Sequence, residues 1–176
     1  MRRLISWVVL GVATVGLAIS TGSVRPAPIK VVETYERKCS SCHGTEGSML
    51  DKDFEKKYAS ATELREVVES MPGAIGMRTE ELDAMVAYMR AISRRDPFVV
   101  WTDRQSNTLI GEIAPAAAKV EARAKREKLR VERPQPRQWR ITLPKGMKPE
   151  EVEIVAQRGG ARTTLRLKDS PYSHTK

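Results

Sequence analysis

The feature that most constrains this chain is a C-x-x-C-H sequence formed by Cys39, Cys42 and His43. Its cysteines are the only two in 176 residues, and His174 is the only other histidine. These counts exclude a disulfide framework, a zinc site built from cysteine alone and an array of several such motifs. Two thiols three residues apart on one helical turn lie on the same face, with an imidazole at the next position.

C-x-x-C-H is the attachment sequence of c-type haem, and we predict one covalent haem c in this chain. Cys39 and Cys42 can each add to a vinyl group, and the imidazole of His43 can bind the iron. Two alternatives stay open at this point. A structural zinc site needs a fourth ligand, for which His174 is available. A thioredoxin-like redox pair belongs in a βαβ context, which the sequence does not show.

The N-terminus has the pattern of an export segment, with Arg2 and Arg3 followed by the uncharged residues 4–20. Residues 18–20 fit a small-x-small cleavage site, whereas residues 4–24 are long enough to span a bilayer. We therefore predict a signal peptide or membrane anchor over residues 1–23. The positive-inside rule then puts the rest on the periplasmic side of the inner membrane, anchored or, after cleavage, soluble in the periplasm. Residues 24–30, with two prolines, read as a linker.

Three segments after the linker have helical periodicity: residues 31–38, 61–70 and 79–94. Thr62 and Thr79 are candidate N-caps for the second and third of them. The third carries an apolar stripe at intervals of three and four residues, formed by Leu82, Met85, Val86, Met89 and Ile92.

Residues 31–94 resemble the class I monohaem cytochromes c. The resemblance is based on Tyr35 four residues before the first cysteine, the C-x-x-C-H-G sequence of residues 39–44, the Met71-Pro72 pair, and Ala-Tyr-Met at residues 87–89. It implies a small fold of three to four helices around one haem, with the first and last helices crossing at the haem edge. No proline lies between His43 and Met71, so the backbone acceptor that this family uses for its proximal histidine is not identifiable.

In the same family the methionine of such a Met-Pro pair is the sixth iron ligand. The resemblance therefore implies His43 as the proximal iron ligand and Met71 as the distal one. Met77 is the alternative, because it lies in the same loop, although it precedes the last helix by only two residues. Met85 and Met89 lie on an apolar stripe, where core packing is the default interpretation, and Met49 follows His43 in a tight loop.

The excess positive charge lies in the C-terminal half. Residues 24–96 contain 12 Lys/Arg and 13 Asp/Glu, whereas residues 97–176 contain 17 and 9. We predict a basic linker over residues 97–136, with a solvated helix at 115–133. A small antiparallel β meander follows over residues 137–176, with strands at 139–143, 152–157 and 161–167. Three strands are too few for a stable sheet, so this extension is expected to pack on the haem domain or on a partner, or to complete another sheet.

Together these features predict a mainly α fold, with a cytochrome c haem domain over residues 31–96, an N-terminal apolar helix and the small β extension. The predicted function is single-electron transfer, as a membrane-associated subunit of a larger redox complex and not as an enzyme by itself. A free or tethered electron shuttle is the alternative, and a haem peroxidase or gas sensor would need an open sixth iron site.

The predicted partners are redox proteins, with an acidic protein surface or a multi-subunit complex for the basic tail. Residues 4–24 would bind the membrane if they are not cleaved, and export argues against nucleic acid. A chain that ends near Asp96 is expected to retain an intact haem domain, because the predicted iron ligands precede that point.

Overall fold

The computed structural model describes residues 25–27 and 30–174. The predicted signal peptide or anchor, residues 1–23, lies outside the described residues. Of the described residues, 34% are helical and 32% are in strands, so the prediction of a mainly α fold is wrong. None of the helices within these ranges has the length and hydrophobicity needed to cross a membrane.

The helices lie in the N-terminal half of the described chain. They are α1 (Val31–Lys38), α2 (Ser40–His43), α3 (Ala61–Ser70) and α4 (Thr79–Arg94), with 3-10 turns at Thr45–Gly47, Phe54–Lys57 and Pro72–Ala74. The hydroxyl of Ser60 accepts the N–H of Glu63 at 3.1 Å and caps α3. Arg78 is the N-cap of α4, so the predicted caps Thr62 and Thr79 both lie inside their helices.

The C-terminal half consists of eight antiparallel strands in two four-stranded sheets. The strands are β1 (Phe98–Gln105), β2 (Thr108–Ala114), β3 (Lys119–Ala124), β4 (Glu127–Leu129), β5 (Val131–Gln135), β6 (Gln138–Thr142), β7 (Val152–Arg158) and β8 (Ala161–Arg166). The first sheet has the order β1-β2-β6-β5 and the second β4-β3-β7-β8. The predicted meander corresponds to β6, β7 and β8, which are three strands of a much larger structure.

The predicted helix at residues 115–133 is a second error, because this segment contains β3, β4 and the start of β5. Alanine, glutamate, lysine and arginine dominate it, and these residues favour helices. The inward positions of β3 are nevertheless alternate residues, Val120, Ala122 and Ala124, which pack in the core between the sheets. Two of the three are alanine, so the period of two carries little hydrophobic signal.

The core between the sheets contains both tryptophans of the C-terminal half, Trp101 and Trp139. The Trp139 indole donates its N–H to the carbonyl of Glu112 at 3.0 Å. Gly111 lies against the same ring, and a Cβ there would be 2.2 Å from a Trp139 ring carbon. The close contact between ring and backbone thus requires glycine at this position.

The outer face of the first sheet packs on helices α1 and α4. Phe98, Val100 and Ala114 belong to the same buried cluster as the helices, and Phe98 and Val100 are fully buried. The Tyr88 ring of α4 lies 5.2 Å from Tyr35 of α1 and 5.0 Å from Phe98. A chain that ends near Asp96 would lose Phe98 and uncover this aromatic cluster, so the packing argues against a haem domain that is independent of the sheets.

Both ends of the described chain join the edge of β1. Ala27, which is buried, donates its N–H to the Trp101 carbonyl at 2.9 Å. Trp101 donates its own N–H to the Pro171 carbonyl at 2.7 Å, and Ser173 donates to the Val99 carbonyl at 2.8 Å. The helical half, the two sheets and the C-terminal segment are therefore tied together by packing and by hydrogen bonds.

A buried carboxylate joins β2 to the first turn of α1. Glu112 is 7% exposed and accepts the N–H of Val32 at 2.9 Å and that of Glu33 at 3.4 Å. Burial raises the pKa of Glu112 from 4.5 to about 7, although the two N–H donors act in the opposite direction.

We predict that the two halves unfold together. In a Trp7→Phe background, haem absorbance reports the helical half, and tryptophan fluorescence from Trp101 and Trp139 reports the sheets. The two denaturation curves should coincide. Phe98→Ala should lower the free energy of unfolding obtained from each curve by about 3–5 kcal/mol, the usual cost of removing a buried phenylalanine ring. Tyr88→Phe is the control, because it keeps the ring and removes a buried hydroxyl that lacks a hydrogen-bond partner. Separate transitions, or a Phe98→Ala effect on fluorescence alone, would contradict the prediction.

We also predict that Glu112 makes stability depend on pH. Because its pKa is raised in the folded protein, its contribution is complete below pH 4.5 and is lost as the pH rises through about 7. The loss amounts to about 3 kcal/mol. The free energy of unfolding of the wild type, minus that of Glu112→Gln, should therefore fall between pH 4.5 and pH 8. A difference that is flat or rises over this range would show that Glu112 is not the titrating group.

Candidate haem-binding site

The C-x-x-C-H sequence spans the junction between α1 and α2. Cys39 ends α1, where its N–H bonds to the Tyr35 carbonyl at 2.8 Å, and α2 runs from Ser40 to His43. No disulfide joins the two cysteines; Cys39 is half-buried and Cys42 is exposed. Burial raises the pKa of the Cys39 thiol.

Cys39 and His43 line an apolar cavity with residues from α3, from α4 and from the loop between these two helices. The further lining residues are Val68, Met71, Gly73, Ala74, Met77, Met85 and Met89. The cavity thus combines a thiol, an imidazole and four thioethers with aliphatic walls. Imidazole and thioether are the axial ligands of haem iron in cytochromes c, and the apolar walls suit its macrocycle, so these residues fit haem c.

The methionines of the helical half form three groups according to their position relative to the cavity. Met71 ends α3 and Met77 precedes α4, and both reach the cavity from the loop between these helices. Met85 and Met89 line it from the buried face of α4, as the packing interpretation of this stripe predicts. Met49 is 73% exposed and does not line the cavity. Met71 and Met77 therefore both stay candidates for the distal ligand.

Gly73 is a cavity residue that the sequence reasoning missed. A Cβ at this position would lie 3.0 Å from the sulfur of Cys39, so the backbone of the loop passes directly over the thiol. A larger residue would crowd the sulfur that has to form a thioether bond. The Met-Pro-Gly sequence gave a signal for a chain turn but none for this contact.

The zinc alternative has no support in the described part of the chain, where no group of three or more His, Cys, Asp or Glu side chains is arranged to hold a metal ion. His174 lies instead beside Tyr172, with ring centres 4.9 Å apart, and its ring nitrogen is 3.2 Å from the Ser170 hydroxyl. It lines a different pocket, beside Arg65 and Arg90. Burial lowers the pKa of His174.

The loop after His43, which we call the proximal loop (residues 44–49), is tightly packed. Gly44 and Gly47 have positive φ, and a Cβ on Gly47 would lie 2.2 Å from an Ile92 methyl carbon. Met49 donates its N–H to the His43 carbonyl at 3.0 Å. The His43 imidazole has no hydrogen-bond partner among the described residues, which agrees with the missing proline acceptor.

A cation beyond α4 also holds the proximal loop, a role that no sequence pattern indicates. Arg95 follows the last residue of α4 with a positive φ, and its guanidinium donates to the carbonyls of Gly47, at 3.2 Å, and Leu50, at 2.5 Å. An arginine at the C-terminal end of a helix is usually interpreted as a solvated charge. No sequence signal shows that Arg95 instead binds a loop.

A C-x-x-C-H sequence at an apolar cavity lined by imidazole and thioether groups is the arrangement that c-type cytochromes use to hold haem. A family model described as Cytochrome C oxidase, cbb3-type, subunit III, matches residues 27–89. The match confirms the resemblance to cytochrome c and the prediction of covalent haem c, and it supports electron transfer. It ends before β1, so no family is identified for the C-terminal half. No match was found among curated proteins or among solved structures.

We predict that Met71→Ala removes the methionine–iron charge-transfer absorbance of the oxidised protein, because Met71 is the expected distal ligand. The same change should lower the reduction potential and admit carbon monoxide to the reduced protein. Met77→Ala should leave all three properties close to those of the wild type. Met49→Ala is the control for loss of a thioether outside the cavity. The assignment is wrong if Met77→Ala produces these effects and Met71→Ala does not.

Proposed function

We propose that this protein is an exported, membrane-associated subunit of a larger redox complex, in which it transfers single electrons. The observation that carries the proposal is the meeting of Cys39, His43 and Met71 at one apolar cavity. The matching family is described as a subunit of a cytochrome c oxidase, which supports a role inside a complex. Residues 4–24 would anchor the protein on the periplasmic side of the inner membrane.

In this proposal Cys39 and Cys42 hold haem c through thioether bonds, and His43 and Met71 bind its iron. Bound haem c would supply a one-electron Fe(III)/Fe(II) couple. The thioether of Met71 would favour the reduced state of the iron, and the apolar cavity walls would keep water away from it. With both axial positions held by protein side chains, the helical half offers no iron site to a substrate. A peroxidase or gas sensor would require Met71 to leave the iron, and carbon monoxide binding to the wild type would reveal this.

We further propose that the outer surface of the second sheet binds an acidic protein partner. Because Ala122, Ile154 and Leu165 point into the core, the alternate side chains of β3, β7 and β8 point outward. This surface, which we call the basic face, comprises Lys119, Glu121, Arg123, Lys128, Glu153, Arg162 and Arg166. It carries five cations and two carboxylates, and an excess of one sign favours a partner of the other.

Ion pairing within the basic face leaves some of its cations available. Glu153 pairs with Arg123 at 2.5 Å and with Arg166 at 3.2 Å. Lys128 lies 3.8 Å from Glu121, which is a loose contact between exposed groups. Lys119 and Arg162 form no ion pair with any residue in the described ranges. They lie on either side of Gln157 in the register of the sheet, on the two strands that flank β7.

We predict that Lys119→Glu combined with Arg162→Glu weakens capture of the complex. The intact protein would be used to capture partners from solubilised membranes at low and at raised salt. Capture by the wild type should fall as salt increases, because exposed charges are screened over about 10 Å at 0.1 M. The double variant should capture less at low salt.

The matched control is Arg126→Glu combined with Lys145→Glu. These residues are exposed and unpaired within the described chain, and they lie in turns at the opposite end of the strands. The net charge changes equally in both double variants. A difference in capture between them would therefore be due to the position of the changed charges on the basic face. Equal capture by the two would contradict a docking role for the basic face. No stable capture by the wild type would favour the electron-shuttle alternative.

A further inference from the structure

The orientation of His43 depends on the backbone around it. Its imidazole has no hydrogen-bond partner among the described residues, so no side-chain hydrogen bond from them fixes the ring. In haem and metal sites such outer contacts normally orient the histidine. Here α2 and the proximal loop must do so through the main chain, since the His43 carbonyl accepts the N–H of Met49 at 3.0 Å.

The centre of the proximal loop is Glu46, and its side chain reaches the β-strands. Glu46 has φ of 54° and donates its N–H to a carboxylate oxygen of Glu36, on α1, at 2.9 Å. Its own carboxylate accepts the N–H of Ala116 at 2.7 Å and lies 3.2 Å from the guanidinium of Arg137. Ala116 is in the β2–β3 connection and Arg137 is in the β5–β6 turn. The loop is thus tied to two separate turns of the sheets.

One arginine holds these two turns together. The guanidinium of Arg133 donates to the carbonyls of Ala116, at 3.1 Å, and Ala118, at 2.9 Å. It also donates to the carbonyls of Gln138, at 3.2 Å, and Pro136. The carbonyl of Arg137 accepts the N–H of Ile113 at 2.9 Å, which fixes the second turn to β2. The two groups that meet Glu46 are therefore presented by a rigid support.

We propose that the β-sandwich positions the proximal histidine by holding Glu46, and that Arg137 is a positioning residue for His43. This inference rests on the proposed role of His43 as an iron ligand. The Glu46 and Arg137 side chains are 23% and 35% exposed, so their contact is less screened by solvent than an ion pair in open water. Loss of the contact loosens the centre of the loop, which is then held only by the hydrogen bonds of Glu46 to Glu36 and Ala116, while Arg95 still holds Gly47.

Positioning and simple electrostatics predict different results. If Glu46 and Arg137 acted only as charges near the haem, removal of the anion would raise the reduction potential and removal of the cation would lower it. The two shifts would then add in a double variant. If they act by holding one loop, each single change releases the same restraint, and the double variant resembles the single ones.

The test compares Glu46→Ala, Glu46→Gln, Arg137→Met and the double variant Glu46→Ala/Arg137→Met in the haem-loaded full chain. The measurements are the reduction potential and the hyperfine-shifted proton resonances of His43 and of the haem methyl groups in the oxidised protein. These resonances respond to the orientation of the axial ligands. Arg130→Met is the matched control, because Arg130 pairs with Glu132 at 3.6 Å on the exposed surface of the same strands.

We expect the His43 resonances to move in the same direction in Glu46→Ala and Arg137→Met, with no further change in the double variant. Glu46→Gln should keep them near the wild type, because the amide oxygen still accepts the N–H of Ala116. Arg137→Lys should restore them in part if Arg137→Met lowers the yield of folded protein. Potential shifts of opposite sign that add, with unchanged resonances, would overturn the proposal. The proposal would also be overturned if the His43 resonances in every variant matched those of the control Arg130→Met. Neither measurement requires a redox partner, so the outcome is independent of the proposed complex.

Discussion

The contact on which the rest of the structure depends is the packing of Phe98 against the Tyr88 ring, which Tyr35 also contacts. Helix α4 therefore borders both the haem-binding cavity and the first sheet. Met85 and Met89 of this helix line the cavity, and Tyr88 contacts the outer face of the first sheet. A small cytochrome domain has little hydrophobic core of its own, and the sheets supply the apolar surface that covers its helices.

This arrangement changes the role of the C-terminal half. A basic tail that is free of the haem domain would serve only to bind a partner. The sheets instead reach the two ends of α1: Glu112 accepts N–H groups from its first turn, and Ala116 and Arg137 hold Glu46 just beyond the C-x-x-C-H sequence. The basic face points away from the core of the sandwich. One half of the chain is therefore suited both to bind a partner and to support the geometry of the haem site.

The sequence predicts the helical half well, because the C-x-x-C-H spacing and the apolar stripe of α4 are strong local signals. It predicts the strands poorly for two physical reasons. β3 buries Val120, Ala122 and Ala124, whose small side chains hide the alternation, and β1 is apolar on both faces because it separates two cores. The contacts of Glu46 join residues about 70 to 90 positions apart, and a single sequence gives no sign of such pairs.

Hydrogen exchange of the haem-loaded chain tests most directly the claim that the two halves form one cooperative unit. If Phe98 and Tyr88 join them as described, the most protected amides of α4 and those of β1 and β2 should exchange through the same opening. They should show the same free energy of opening, equal to that of global unfolding. Amides of β1 and β2 that exchange through a separate, lower-energy opening while α4 stays protected would contradict the account.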